Sequence, residues 1–169
     1  MTLSMYQATV PVFVHALENL QAILAKGAAH AEAKKIDPAV FINARLAPDM
    51  FPLSRQVQIA SDAAKGCAAR LAGVAVPSYE DTETTFPELH ERLAKTIAFV
   101  KGITPAQIDG SEERSVVLKM RTGELTFRGQ DYLLRMALPN FFFHVTTAYD
   151  ILRHNGVEVG KMDYLGKLA

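Results

Sequence analysis

Apolar residues recur at alternating spacings of three and four from near the start of the chain. Leu3, Tyr6, Val10, Phe13, Leu17, Leu20 and Leu24 form a single seam, which predicts an amphipathic helix. Pro11 lies inside this pattern and should either kink the helix or mark its true first turn, with Thr9 as the cap. Gly27 and the small residues after it predict a fraying end. Asp37-Pro38 and Pro48-Asp49 make 36–50 a connection with one helical turn. A second helix is predicted over 52–71, ahead of Gly73, on the seam Leu53, Val57, Ala60, Ala64, Cys67 and Leu71. This alanine-rich face lets a neighbouring helix approach closely, and Cys67 reads there as a small buried hydrophobe.

After the turn-rich VPSYEDTETT, a third helix opens at Thr85-Phe86-Pro87-Glu88, where Thr85 and Glu88 have the spacing of a capping box. Phe86, Leu89, Leu93, Ile97 and Val100 form its seam, and Gly102 ends it. Thr104-Pro105 then starts a short turn closed by Gly110.

The period next changes to two. Val116, Leu118 and Met120 alternate with Val117, Lys119 and Arg121, and Leu125 and Phe127 alternate with Glu124, Thr126 and Arg128. With Thr122-Gly123 as a two-residue turn, Met120 would face Leu125, Leu118 would face Phe127, Lys119 would face Thr126, and Arg121 would meet Glu124. This predicts a β-hairpin whose apolar side lies over the helices. A fourth helix follows: 130–138 as a short lead-in, Pro139 in the first turn of the main segment, and Gly156 as the C-terminal cap after Asn155. Phe142, Val145, Tyr149 and Leu152 form its central stripe, widened by Phe141, Ala148 and Ile151. Val157, Val159, Tyr164 and Leu165 of the tail should pack along the outside of the bundle or against a second subunit. The sum is one all-α domain over residues 1–169, an antiparallel four-helix bundle with a small hairpin between the third and fourth helices.

Composition narrows the function classes. Lys plus Arg and Asp plus Glu both number 18, so the net charge is zero and the basic footprint of a nucleic-acid binder is missing. At 49% hydrophobic and 21% charged residues, the chain is too apolar to be disordered. No apolar run approaches the ~18 residues of a spanning helix, and MTLSMYQATVPVF has no basic region ahead of an apolar core. No membrane role is expected, and the expected location is cytoplasmic. The single Cys67 forbids an intrachain disulfide and a cysteine-based zinc site. The Lys and Arg residues alternate with acids and read as a solvated surface.

The five histidines are the remaining candidates for chemistry. A metal ion needs donors aimed at one point, which helical neighbours achieve at spacings of three or four. His144 and His154 are ten residues apart, which places them about 15 Å apart along the axis and rotated by about 80°; they cannot share an ion. The residue that could pair with His144 is Ala148, which has no donor. His144 lies on the flank of the apolar stripe and should look into a pocket beside the core. His154 should cap a helix end or face solvent, His15 should face outward, His30 lies near the fraying end, and His90 borders the third seam at the rim of a pocket. No phosphate loop, nucleophile elbow or His-Glu-x-x-His pair is present.

FFFHVTTAYDILRHNGVEVGKMDYLG, together with DMFPLSRQVQIASDAAKG and GQDYLLRMALPN, resembles a bacterial and fungal family of unknown function grouped with the DinB/YfiT-like helical bundles. The resemblance implies a four-helix bundle, frequently a homodimer. Many members of the superfamily hold zinc or nickel with three histidines, one in the second helix and a His-x-x-x-His pair in the last. Relatives include transferases and isomerases that use low-molecular-weight thiols. Here His144 is similar to the first member of that pair, the second falls on Ala148, and Arg55-Gln56-Val57-Gln58 stands where the second-helix histidine would be, with Gln56 as the nearest stand-in. The expected protein is therefore a homodimeric bundle with no metal and no cofactor. It should bind a small organic molecule through His144 and Gln56, with Tyr149, Asn140 and His90 as further contacts. The alternatives are a metal- or thiol-dependent transferase drawing on His144 and His90, and a purely structural dimer.

Overall fold

The computed structural model describes residues 3–120 and 123–167. Four long helices dominate it: α1 (Val10–Lys34), α3 (Leu53–Ala72), α4 (Phe86–Lys101) and α7 (Leu138–His154). Three short ones fill the connections, α2 (Pro38–Ile42), α5 (Pro105–Ile108) and α6 (Gly129–Tyr132), and α8 (Lys161–Leu165) lies in the tail. α3 packs against α7 and α4, and α1 packs against α4 and α7. Phe13, Leu17, Leu20 and Leu24 of α1 meet Leu53, Val57, Cys67 and Leu71 of α3, Leu89 and Leu93 of α4, and Phe141 and Leu152 of α7 in one buried core. Phe13 stands edge-on to Phe141 at 4.8 Å between ring centres, the geometry that aromatic quadrupoles favour. None of the described helices is long and apolar enough to cross a membrane.

The capping signals work as read at α4. Thr85 accepts from the Glu88 N–H, and the Glu88 carboxylate accepts from the Thr85 N–H. α3 starts after Pro52 and ends at the left-handed Gly73. At α1 the details differ. Leu3 is exposed rather than part of the seam. Pro11 sits in the first turn, but Thr9 donates its hydroxyl to the Met5 carbonyl at 2.6 Å and makes no side-chain cap. α1 also does not fray at Gly27. That glycine is buried where Phe86 and Leu152 stand 3.1–3.2 Å from the place of a Cβ, so the missing side chain allows close packing. The helix runs on to Lys35, a non-glycine residue at φ 55°. Glycine has no penalty in that left-handed state. Lys35→Gly is therefore expected to raise the unfolding free energy by about 0.5–1 kcal/mol, measured by urea denaturation.

The hairpin comprises β1 (Ser115–Met120) and β2 (Gly123–Arg128), antiparallel, with Met120 opposite Gly123, Leu118 opposite Leu125 and Val116 opposite Phe127. The predicted register is two residues out. Gly123 is the first strand residue, not a turn residue; the expected turn position Thr122 and the Arg121 partner of Glu124 lie outside the described residues. A two-residue shift keeps every side chain on its predicted face. Only the base of the hairpin is covered: Val116 is buried and Phe127 leans on Tyr132, while Leu125 is 48% exposed.

The lead-in to α7 is one continuous rod with it. Between α6 and α7, Leu133–Ala137 form a π turn, in which the Leu138 N–H reaches the Leu133 carbonyl five residues back. Pro139 explains the widening, because its ring would press on the carbonyl of Arg135 in an ordinary α-helix and it has no N–H to donate. After α7, Val157 N–H returns to Leu152 O and Gly156 N–H to Arg153 O, a Schellman closure with Gly156 at φ 89°. This reversal puts Val157 and Val159 into the core, in contrast to the expectation that the tail stays outside. α8 then lies along α1, tied by Lys26–Asp163 at 2.6 Å and by Asn19 donating to the Tyr164 carbonyl at 3.0 Å.

Candidate functional site

α7 carries His144 to the seam with α3, and the first turns of α3 bring Gln56 to meet it. The Gln56 amide nitrogen donates to the Phe51 carbonyl at 3.0 Å. Its oxygen is thereby turned toward the imidazole, 2.6 Å from Nδ1. Nδ1 must then carry the proton of the neutral ring, which leaves the lone pair on Nε2. His144 is only 8% exposed. Nε2 has no hydrogen bond, yet it is not among the sealed, unpaired polar atoms of the described residues, so it opens to the surface. Burial first, and the positive Arg55 second, hold the imidazole below its usual pKa.

The sign of that shift gives a pH prediction. A histidine with a lowered folded-state pKa favours folding in its neutral form. Its contribution is complete above the unfolded value of about 6.5 and is lost as pH falls through the lowered folded value. An NMR titration of the His144 Cε1–H resonance is expected to give a midpoint below about 6.5, and Gln56→Leu should alter it.

One aromatic ring stands beside the His144–Gln56 pair, and a second belongs to the residue whose carbonyl orients Gln56. Phe143, 56% exposed, stands perpendicular to the His144 ring at 5.1 Å. Phe51, also 56% exposed, carries the carbonyl that orients Gln56 and has the Arg55 guanidinium at 6.0 Å from its ring centre. Arg55 is itself paired with Asp81. The arrangement can accept a proton or hydrogen bond at Nε2 beside the exposed Phe143 ring.

The other predicted residues divide. Asn140 is half-buried one turn before His144 on the same face of α7. Tyr149 is turned away toward α8, edge-on to Tyr164 at 5.9 Å, and lines a cavity of about 280 Å³ with Thr146 and Lys161. His90 is exposed on α4, where its carbonyl accepts from Gln21 of α1, so it does not join His144. His15 is exposed with Nε2 at 2.6 Å from the Leu165 carbonyl, and His30 packs edge-on against Phe41 within an intact α1. The residues do not fit a three-histidine metal centre. His144 commits Nδ1 to Gln56, Ala148 is a fully buried methyl, and among the described residues no three His, Cys, Asp or Glu side chains gather at one point.

A second polar cluster gathers around Arg92 of α4. Arg92 is buried, in contrast to the expectation that the basic residues are solvated. Its guanidinium meets Asp62 at 2.8 Å, Asp81 and Glu83 at 3.0 Å, the Glu80 carbonyl at 3.1 Å and the Ser61 hydroxyl at 3.2 Å. Tyr79 lies beneath Lys95 and Lys65 at 4.2 and 4.6 Å. These contacts fasten 74–85, a segment without secondary structure, onto α3 and α4. Position 92 falls on the apolar face between Leu89 and Thr96, and a charge there is the signal that marks it.

Residues 5–165 match the model of a family described as a domain of unknown function, DUF1993. The chain belongs to that family. Among solved structures, a DinB family member protein from Shewanella denitrificans is 45% identical, with 96% of this chain and 92% of that one covered at a TM-score of 0.87. No curated protein matches the chain. The DUF1993 domain here is thus a mostly helical, DinB-like fold with one two-stranded hairpin among the described residues.

Proposed function

We propose that this protein is a binder of small organic molecules that carry an O–H or N–H donor on an apolar or aromatic body, held at the His144–Gln56 pair. We read its four long helices as a DinB-like four-helix bundle, in which such sites form between facing helices. The observation that carries the reading is the oriented imidazole: Gln56 accepts from Nδ1 at 2.6 Å, which leaves Nε2 free beside exposed Phe143. A ligand donor would bond to Nε2, and its apolar part would cover Phe143 and Phe51. Three metal donors are not assembled there among the described residues, so no metal-dependent step is proposed.

NMR titration with a set of phenols, aromatic acids and aryl amides tests this. The expected result is a saturable shift of the His144 ring signals with at least one class. Phe143→Ala should weaken that shift and His144→Gln should abolish the binding. If no class moves His144, or if His144→Gln binds equally well, the reading fails.

A further inference from the structure

Within the described residues β1 and β2 form a two-stranded sheet, and every residue of β2 except the half-covered Phe127 is exposed. A hairpin of two strands is marginal in water without a third strand or a covered face, and an open edge is a template for another strand. The register shows which strand would fit. A two-residue loop closes on a hydrogen-bonded pair, here Met120 with Gly123. By alternation Leu118–Leu125 and Val116–Phe127 are hydrogen-bonded as well. Gly123, Leu125 and Phe127 therefore turn their amides to β1, while Glu124, Thr126 and Arg128 turn theirs to the open edge.

A second β2 running antiparallel meets these three residues in a register centred on Thr126. Glu124 then lies opposite Arg128 of the second copy, Thr126 opposite Thr126, and Arg128 opposite Glu124. On the other face, Leu125 falls opposite Phe127. Both charges and both large apolar residues of the strand are matched at once. A one-residue shift would bring inward-turned amides to the edge, and a two-residue shift would lose both ion pairs. β1 has no such self-complement, since Lys119 is its sole charge.

We propose that the outer edge of β2 is a self-association surface. Two copies of the chain join their hairpins there into a four-stranded antiparallel sheet about a twofold axis at Thr126. This is independent of the reading of His144. Sedimentation velocity on the full chain tests it with a charge swap that preserves the hairpin. Lys119→Glu with Glu124→Arg keeps the cross-strand pair within each hairpin but sets a positive charge at position 124 against Arg128 of the second copy. The expected result is a wild-type dimer, about tenfold weaker in the double variant, from two ion pairs turned repulsive. Arg128 also pairs with Glu113 of its own chain at 3.3 Å, so adding Arg128→Glu together with Glu113→Arg should restore it. Thr126→Pro removes an edge N–H that β1 does not use and should give monomers with an unchanged circular dichroism spectrum. A monomeric wild type, a dimer indifferent to the swap, or a loss that Arg128→Glu with Glu113→Arg does not repair would each overturn the proposal.

Discussion

Arg92→Ala is expected to lower the unfolding free energy by about 3 kcal/mol, read from urea denaturation of the purified chain. The side chain is 1% exposed and serves three carboxylates, one carbonyl and one hydroxyl. Its removal leaves Glu83, 14% exposed, with an uncompensated charge, and leaves the Ser61 region with a void. Asp62 and Asp81 are 37% and 38% exposed and can recover water, which keeps the loss at the lower end of the range for broken buried pairs. The segment 74–85 should also become the first site of proteolysis, because Arg92 ties Glu80, Asp81 and Glu83 down. Arg55→Ala supplies the contrast. It breaks a pair exposed on both sides and should cost under about 1 kcal/mol. Equal losses from the two variants would show that burial does not set the energetics here.

Gly129→Ala is expected to be comparably severe, at about 3 kcal/mol or more. A Cβ at position 129 would lie 2.0 Å from the Ser111 carbonyl oxygen and 3.2 Å from a methyl of Leu71. A backbone carbonyl cannot rotate aside as a side chain does. The Gln130 N–H, bonded to the Glu112 carbonyl at 3.0 Å, holds the two segments together. Relief would require separating the end of β2 from the turn that leads into β1. Gly160→Ala is the matched control: nothing lies within 4 Å of its Cβ position, and the change should stay within about 0.5 kcal/mol. A thermal melt of the three proteins gives the comparison.

The readable parts of this chain share a physical reason. α3 and α4 have uninterrupted seams and explicit punctuation, Pro52 and Gly73 at one, Thr85, Glu88 and Gly102 at the other, so local chemistry and burial agree. Where several uses of one residue type compete, pattern and structure part. Gly27 reads as a weak point, yet the helix needs the missing side chain to seat Phe86 and Leu152. Gly123 reads as a turn residue because glycine favours turns, but it heads β2 at φ 135°. The strand faces survive because the slip is even.

The candidate site shows the same division. Helical geometry places His144 at the edge of the core, and Gln56 on the flank of its own seam, from positions 88 apart in the sequence. Their meeting depends on how α3 and α7 pack, which no local pattern encodes. Tyr149 belongs to the central stripe, which predicts a place near His144. Five residues of helix rotate it by about 140° from position 144, toward Tyr164. His90 follows Leu89 directly and so points off the seam. The Arg92 cluster draws Asp81 and Glu83 from a loop and Asp62 from α3, and loop paths are set by such contacts rather than by periodicity.

One buried group gives the molecule an internal gauge of its own opening. Cys67 is the sole thiol of the chain and is fully enclosed in α3, and enclosure pushes its ionisation well above the ordinary thiol range. The ionised sulfur is the nucleophile that attacks an alkylating reagent, so the native protein should be inert to such reagents until α3 separates from α4 and α7. At reagent concentrations where alkylation outpaces reclosing, the labelling rate of wild-type protein then counts unfolding events directly, without an engineered probe.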